Sequence, residues 1–156
     1  MSCELQPTYE QTPVELLQEI QNSNKYLFHG SSQNLDKLEP RLPKGDMSDE
    51  VFNKTESVYA TSSAARAVVS AIMPKDEGSW GTLQDGEGNI TLVCSQTVLD
   101  QIHPGFVMVL DDRNKAIKDE NPVSNQYKYD EAKVPLLTIP VTLEDFKNLG
   151  GKIEVI

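Results

Sequence analysis

The chain has 156 residues, enough for one domain with its own core. Acidic residues outnumber basic ones 24 to 14, a formal net charge of −10 that argues against broad binding to a phosphate backbone or adhesion to an anionic membrane. No apolar run approaches the ~20 residues of a bilayer span. Met1-Ser2-Cys3-Glu4 lacks the basic-then-apolar pattern of a secretory signal, and Cys3 and Cys94 make neither a disulfide framework nor a metal cluster, so a cytoplasmic, reducing setting is expected.

Residues 1–12 form a polar tail, and 13–156 read as a single domain. Thr12 before Pro13 and Glu15 is a helix start; Val14, Leu16, Leu17 and Ile20 supply an apolar stripe to about Asn22. A first strand is expected over 26–29. A turn follows, with Leu35 and Leu38 packed inward, and then a long surface loop over 42–56, a length often found in lids and binding loops. A second strand over 57–60 leads to a helix over 63–73, capped by Thr61 or Ser62 and ended by Pro74. The acidic, glycine-rich segment 75–89 reads as a hairpin arm with its turn at Asp85-Gly86-Glu87-Gly88-Asn89. Its second strand spans 90–94.

A short helix is expected over 96–103. The run 105–110 is nearly all apolar and predicts an interior strand. Asp111 or Asp112 is expected to cap a helical turn through Ile117. Strands follow at 126–129 and 136–141, then a helix opened by Thr142 and ended by Gly150-Gly151, then a closing strand over 152–156. Many short strands with few helices indicate an α+β fold rather than a doubly wound parallel sheet.

Two strand ends carry the chemistry. The first is Tyr26-Leu27-Phe28-His29-Gly30-Ser31-Ser32, and the second is Ser57-Val58-Tyr59-Ala60-Thr61. His29 offers a donor and an acceptor at a strand mouth. Gly30, without a Cβ, lets the backbone turn or approach a ligand. Ser31 can bond phosphate, ribose or amide groups. Taken alone, His29 fits a satisfied structural histidine as well, and Tyr59 a half-buried packing residue. If the two rings faced each other they could sandwich a flat heteroaromatic ligand, each ring contributing on the order of 1 kcal/mol. The two histidines and two cysteines have no metal-ligand spacing, and the acids of 75–89 lack the spacing of a calcium loop.

The motif Phe28-His29-Gly30-Ser31, followed by Val58-Tyr59-Ala60-Thr61 opening a helix, resembles the first two motifs of ADP-ribosyltransferases of the poly(ADP-ribose)-polymerase and diphtheria-toxin type. Residues 105–110 and 141–145 are similar to segments of small bacterial members. The resemblance covers about residues 26–145. It implies a split, mainly antiparallel sheet of the ADP-ribosyltransferase type, with a few short helices around a cleft for NAD. It also implies roles: His29 on the ribose, the Gly30 backbone and Ser31 on the nicotinamide amide, Tyr59 stacked on the ring, and Thr61 completing the second motif. Arg41 and Arg66 are candidates for the pyrophosphate, since Arg binds phosphate bidentately.

The family's third motif is a Glu that supports the cationic transition state. Gln126 stands at the matching position, and a Gln carries no charge to stabilise an oxocarbenium ion. Glu131, a few residues on, is the other candidate for that role. Three functions follow as expectations: a transferase passing ADP-ribose from NAD to a protein or nucleic-acid acceptor; a non-catalytic module that recognises NAD, ADP-ribose or a nucleic-acid end; or an acidic interaction or inhibitor protein whose charge suits a nucleic-acid-mimic surface.

Overall fold

The computed structural model describes residues 11–41, 55–74, 80–121 and 124–156. Most of the expected tail 1–12, most of the loop 42–56 and the start of the 75–89 segment lie outside them. The described chain runs α1 (Pro13–Ser23), β1 (Leu27–Ser31), β2 (Val58–Thr61), α2 (Ala64–Ile72), β3 (Trp80–Gln84), β4 (Ile90–Cys94), α3 (Gln96–Leu99), β5 (Gly105–Leu110), a 3-10 turn (Arg113–Lys115), β6 (Ile117–Lys118), β7 (Gln126–Tyr129), β8 (Leu137–Val141), α4 (Leu143–Asn148) and β9 (Lys152–Val155). The fold is α+β.

The large sheet has the order β6-β7-β2-β1-β5-β8, with antiparallel neighbours throughout. The small sheet has the order β3-β4-β9; β3 is antiparallel to β4 and β9 parallel to it. β5 lies between β1 and β8, and Val107 to Leu110 are fully buried, as the apolar run requires.

Helix starts follow local chemistry. Thr12 and Glu15 form a capping box around Pro13, and α1 ends at Asn24 in the left-handed conformation, φ 58°. Ser63 caps α2 by accepting from Arg66 N, in place of the expected Thr61 or Ser62. Thr61 Oγ1 instead accepts from Ser63 N, one step before the helix.

Two expected elements differ. The helix over 96–103 stops at Leu99: only Val98 of its residues is buried, Pro104 disfavours a helical His103, and His103 N donates instead to Ile72 O at 3.0 Å. The turn after Asp112 is short, Asp112 is left-handed (φ 52°) without a side-chain cap bond, and Ile117 and Lys118 form an edge strand on β7.

The two sheet faces bury different cores. Phe28, Val107, Val109, Ile139 and Val141 pack with α1, α2, α4 and β4. Leu27, Val58, Ala60, Met108, Leu110 and Tyr129 pack on the other face, with Leu38 over them and Leu35 beside it. Helix α2 lies directly on β1 and β5. A Cβ on Gly30 would stand 2.0 Å from Ala67 O, and one on Gly105 would stand 2.2 Å from Ala71 O. Among the described residues no helix is long and apolar enough to cross a membrane.

Candidate functional site

The candidate site is the seam between β1 and β2. The two strands share one registered pair, Phe28–Thr61, whereas β1 pairs with β5 over five residues. Past that pair the strands part. His29 turns its ring into the gap, and Nδ1 meets the Tyr59 carbonyl at 2.6 Å. A carbonyl only accepts, so Nδ1 carries the proton and, in the neutral ring, Nε2 is the lone-pair acceptor.

This bond also orients the backbone. The Tyr59 carbonyl points at β1, and main-chain groups alternate along a strand. Thr61 therefore points at β1 as well, and Phe28–Thr61 is a pair that exchanges both ladder bonds. Phe28 then points at β2, and so does Gly30, two residues on. Gly30 thus directs its N–H and C=O into the seam, beyond the end of the β1–β2 ladder. Ser57, two residues before Tyr59, exchanges both main-chain bonds with Arg41 at 3.1 and 3.2 Å. The Arg41 segment takes the place beside β2 that β1 has left, and the Arg41 residue is exposed.

Several expectations are corrected at this point. Gly30 is held to a glycine by α2, which occupies the space of a side chain there. Ser31 is buried, and its Oγ accepts from Gln33 N at 3.1 Å in a local turn. The two rings do not share a face. Thr61 pairs with Phe28, which places Thr61 and Tyr59 on the helix side, while His29, opposite Met108, belongs to the other side. The contact between His29 and Tyr59 is ring to main chain, and a sandwich of both rings on one flat ligand does not fit the pleat. The Tyr59 hydroxyl donates to Thr55 O at 2.6 Å, and Lys128 Nζ donates to Thr55 Oγ1 at 3.0 Å.

Gln126 opens β7 directly opposite Thr61, on the helix side and one strand from β1. Glu131 does not join it. It lies beyond the far end of β7, roughly 16 Å away along extended chain. There it lines a cavity of about 320 Å³ with Lys115, Tyr129, Asp130 and Lys133. In this second cluster Lys133 Nζ is paired to Asp111 at 2.9 Å and lies over the Tyr129 ring. Tyr129 donates to Asp111 O at 2.8 Å. Burial, and then the Asp111 and Asp112 charges, push the Tyr129 phenol well above its ordinary range. A groove of about 560 Å³ at the other end of β1 holds Arg113 against Tyr127, flanked by the left-handed Asn24 and Asp112.

Arg66 is the residue whose surroundings were least legible in the chain. Its Nη1 donates to Thr82 Oγ1 at 2.9 Å and its Nη2 to Gln84 Oε1 at 3.5 Å, both on β3. Its Nε is buried with no partner among the described residues. Burial lowers its pKa from the ordinary value. A Cβ on Gly30 would meet Ser70 as well as Ala67 and Ala71, but the three atoms nearest to one on Gly105 all belong to Ala71. Ser70, and Arg66 one turn before it, therefore stand on the flank of α2 toward β2. Among the described residues no group of three His, Cys, Asp or Glu gathers as a metal site.

Compared with models of known families, with curated proteins and with solved structures, the chain matches none.

Proposed function

We propose that the protein binds NAD at the β1–β2 seam and is an ADP-ribosyltransferase-like domain with weak or absent transfer. The carrying observation is the main chain of Gly30, turned into the seam where the β1–β2 ladder has ended. One N–H and one C=O on a single residue are what a carboxamide requires, since it offers one acceptor and one set of donors. His29 stands beside them, with its ring oriented by the Tyr59 carbonyl so that Nε2 accepts from a ribose hydroxyl. Tyr59 and Thr61 approach from β2 on the helix side, and Tyr59 alone supplies the aromatic surface for the nicotinamide. The parting of β1 and β2 supports the split sheet that the motif resemblance implies.

Gln126 weighs on the chemistry. It lies next to Thr61, where a carboxylate would face the reacting ribose carbon, and it brings no charge. Glu131 lies beyond the far end of β7, which favours Gln126 for that role. Recognition without fast transfer is the reading these two positions favour. Calorimetric titration with NAD and with nicotinamide tests it: both bind, Tyr59→Ala weakens both, and His29→Ala weakens NAD. Binding that ignores both substitutions, or no binding by the intact chain, removes the proposal.

A further inference from the structure

Among the described residues, Arg66 presents a charge without a counter-charge. The chain has 24 acidic residues against 14 basic ones, yet the guanidinium is met by a hydroxyl and an amide oxygen, not by a carboxylate. A half-buried cation without an opposite charge is costly, and proteins ordinarily pair it. Lys133 shows that this chain does so elsewhere, with Asp111 and Asp112 around it. At Arg66 the neutral partners hold the planar fork in place, one bond on each Nη, and leave its positive charge to an anion. Ser63 pins the start of the helix that carries it.

The location adds a direction. Arg66 lies on the flank of α2 toward β2, one residue before Ala67, whose carbonyl oxygen touches Gly30. Thr82, Gln84 and Trp80 recur every second residue on β3 and so share a face. A ligand anchored by an amide at Gly30 and extending along that flank reaches Arg66 next.

We propose that Arg66, oriented by Thr82 and Gln84, is a phosphate subsite that takes the pyrophosphate of the dinucleotide; this rests on the NAD reading for the identity of the ligand. Arg41 is exposed and joined to Ser57 through its main chain, whereas Arg66 has its guanidinium held by two side chains. A guanidinium contributes two parallel donors to a phosphate, which a lysine in its place cannot.

The test uses the full chain with three probes: NAD, nicotinamide and inorganic pyrophosphate. Calorimetry follows all three, and the emission of Trp80, the single tryptophan, follows pyrophosphate. Arg66→Gln should weaken NAD and pyrophosphate by about tenfold to a hundredfold, the size of a charged hydrogen-bonding partner. Nicotinamide, which has no phosphate, should be unaffected. Arg66→Lys should recover part of the loss, and it decides the matter if Arg66→Gln does not fold. Pyrophosphate should change Trp80 emission saturably in the intact chain and not in Arg66→Gln. If NAD binds equally well to the intact chain and to the folded Arg66 variants, the subsite is wrong and the NAD reading stands. If NAD fails to bind but pyrophosphate binds through Arg66, the subsite stands and the dinucleotide is wrong. If neither NAD nor pyrophosphate binds, both are wrong.

Discussion

The imidazole of His29 bonds the main-chain carbonyl of Tyr59 at 2.6 Å, in the place where β1 would otherwise have continued its ladder to β2. A side chain has replaced a strand. The bond fixes the His29 tautomer and stands where the β1–β2 ladder has ended, beside Gly30. His29→Ala should therefore do more than remove an acceptor. It leaves the Tyr59 carbonyl without this donor, a loss of about 1–3 kcal/mol. His29→Asn, which retains a donor, should recover some stability without restoring ligand binding. Thermal melts and NAD titration of the pair measure both effects, and equal stability of the two variants contradicts the account.

Gly30 should tolerate no side chain. Gly30→Ala sets a methyl 2.0 Å from Ala67 O, so α2 must lift from β1. Overpacking of this kind costs typically about 1–3 kcal/mol. Gly105→Ala should cost a similar amount through Ala71. The double variant should lose less than the sum, because both substitutions displace the same helix. Denaturant midpoints check this, and a Gly30→Ala protein as stable as wild type refutes the packing argument.

Tyr129 predicts a loss of stability in alkali. Its folded pKa is raised, by burial first and then by Asp111 and Asp112. The folded phenol therefore keeps a proton that the unfolded one gives up above pH ~10. The contribution is complete below that value and is lost as pH rises through the folded pKa. Urea melts between pH 8 and 11 should show a steeper decline for wild type than for Tyr129→Phe, by at most about 1.4 kcal/mol per pH unit. Parallel slopes contradict it.

Local chemistry made much of the fold readable. Thr12, Pro13 and Glu15 mark the start of α1, the apolar run of β5 marks an interior strand, and the hairpin turn closes where Asp85 caps Glu87 N and Asn89 N. Pairing partners were not readable. Nothing within β9 says that it lies parallel to β4, and a run as short as Ile117-Lys118 becomes a strand only because β7 offers an edge. The site divides in the same way. His29, Gly30 and Tyr59 stand out as residue types, but their arrangement depends on where the ladder ends, and the distant Arg41–Ser57 bridge takes over beside β2. The reason for Gly30 lies 37 residues on, in the Ala67 carbonyl. Thr82 and Gln84 gain their role only from the packing of α2 beside β3.

Gln126→Glu should raise the release of nicotinamide from NAD. It restores charge opposite Thr61, and loss of one such electrostatic partner typically costs about 10²–10³ in rate. Glu131→Gln should change nothing, since Glu131 lies beyond the other end of β7. Fast turnover by wild type that Glu131→Gln abolishes would assign the catalytic carboxylate to Glu131 and overturn the placement of Gln126.

The most direct measurement is a titration of nicotinamide into the ¹⁵N-labelled protein, followed by amide resonances. The seam predicts a saturable shift of the Gly30 amide, with smaller shifts at His29, Tyr59 and Thr61, and none at Arg113 or Asn114 in the groove at the other end of β1. Shifts confined to that groove, or a Gly30 amide that does not move at saturating nicotinamide, contradict the proposed site.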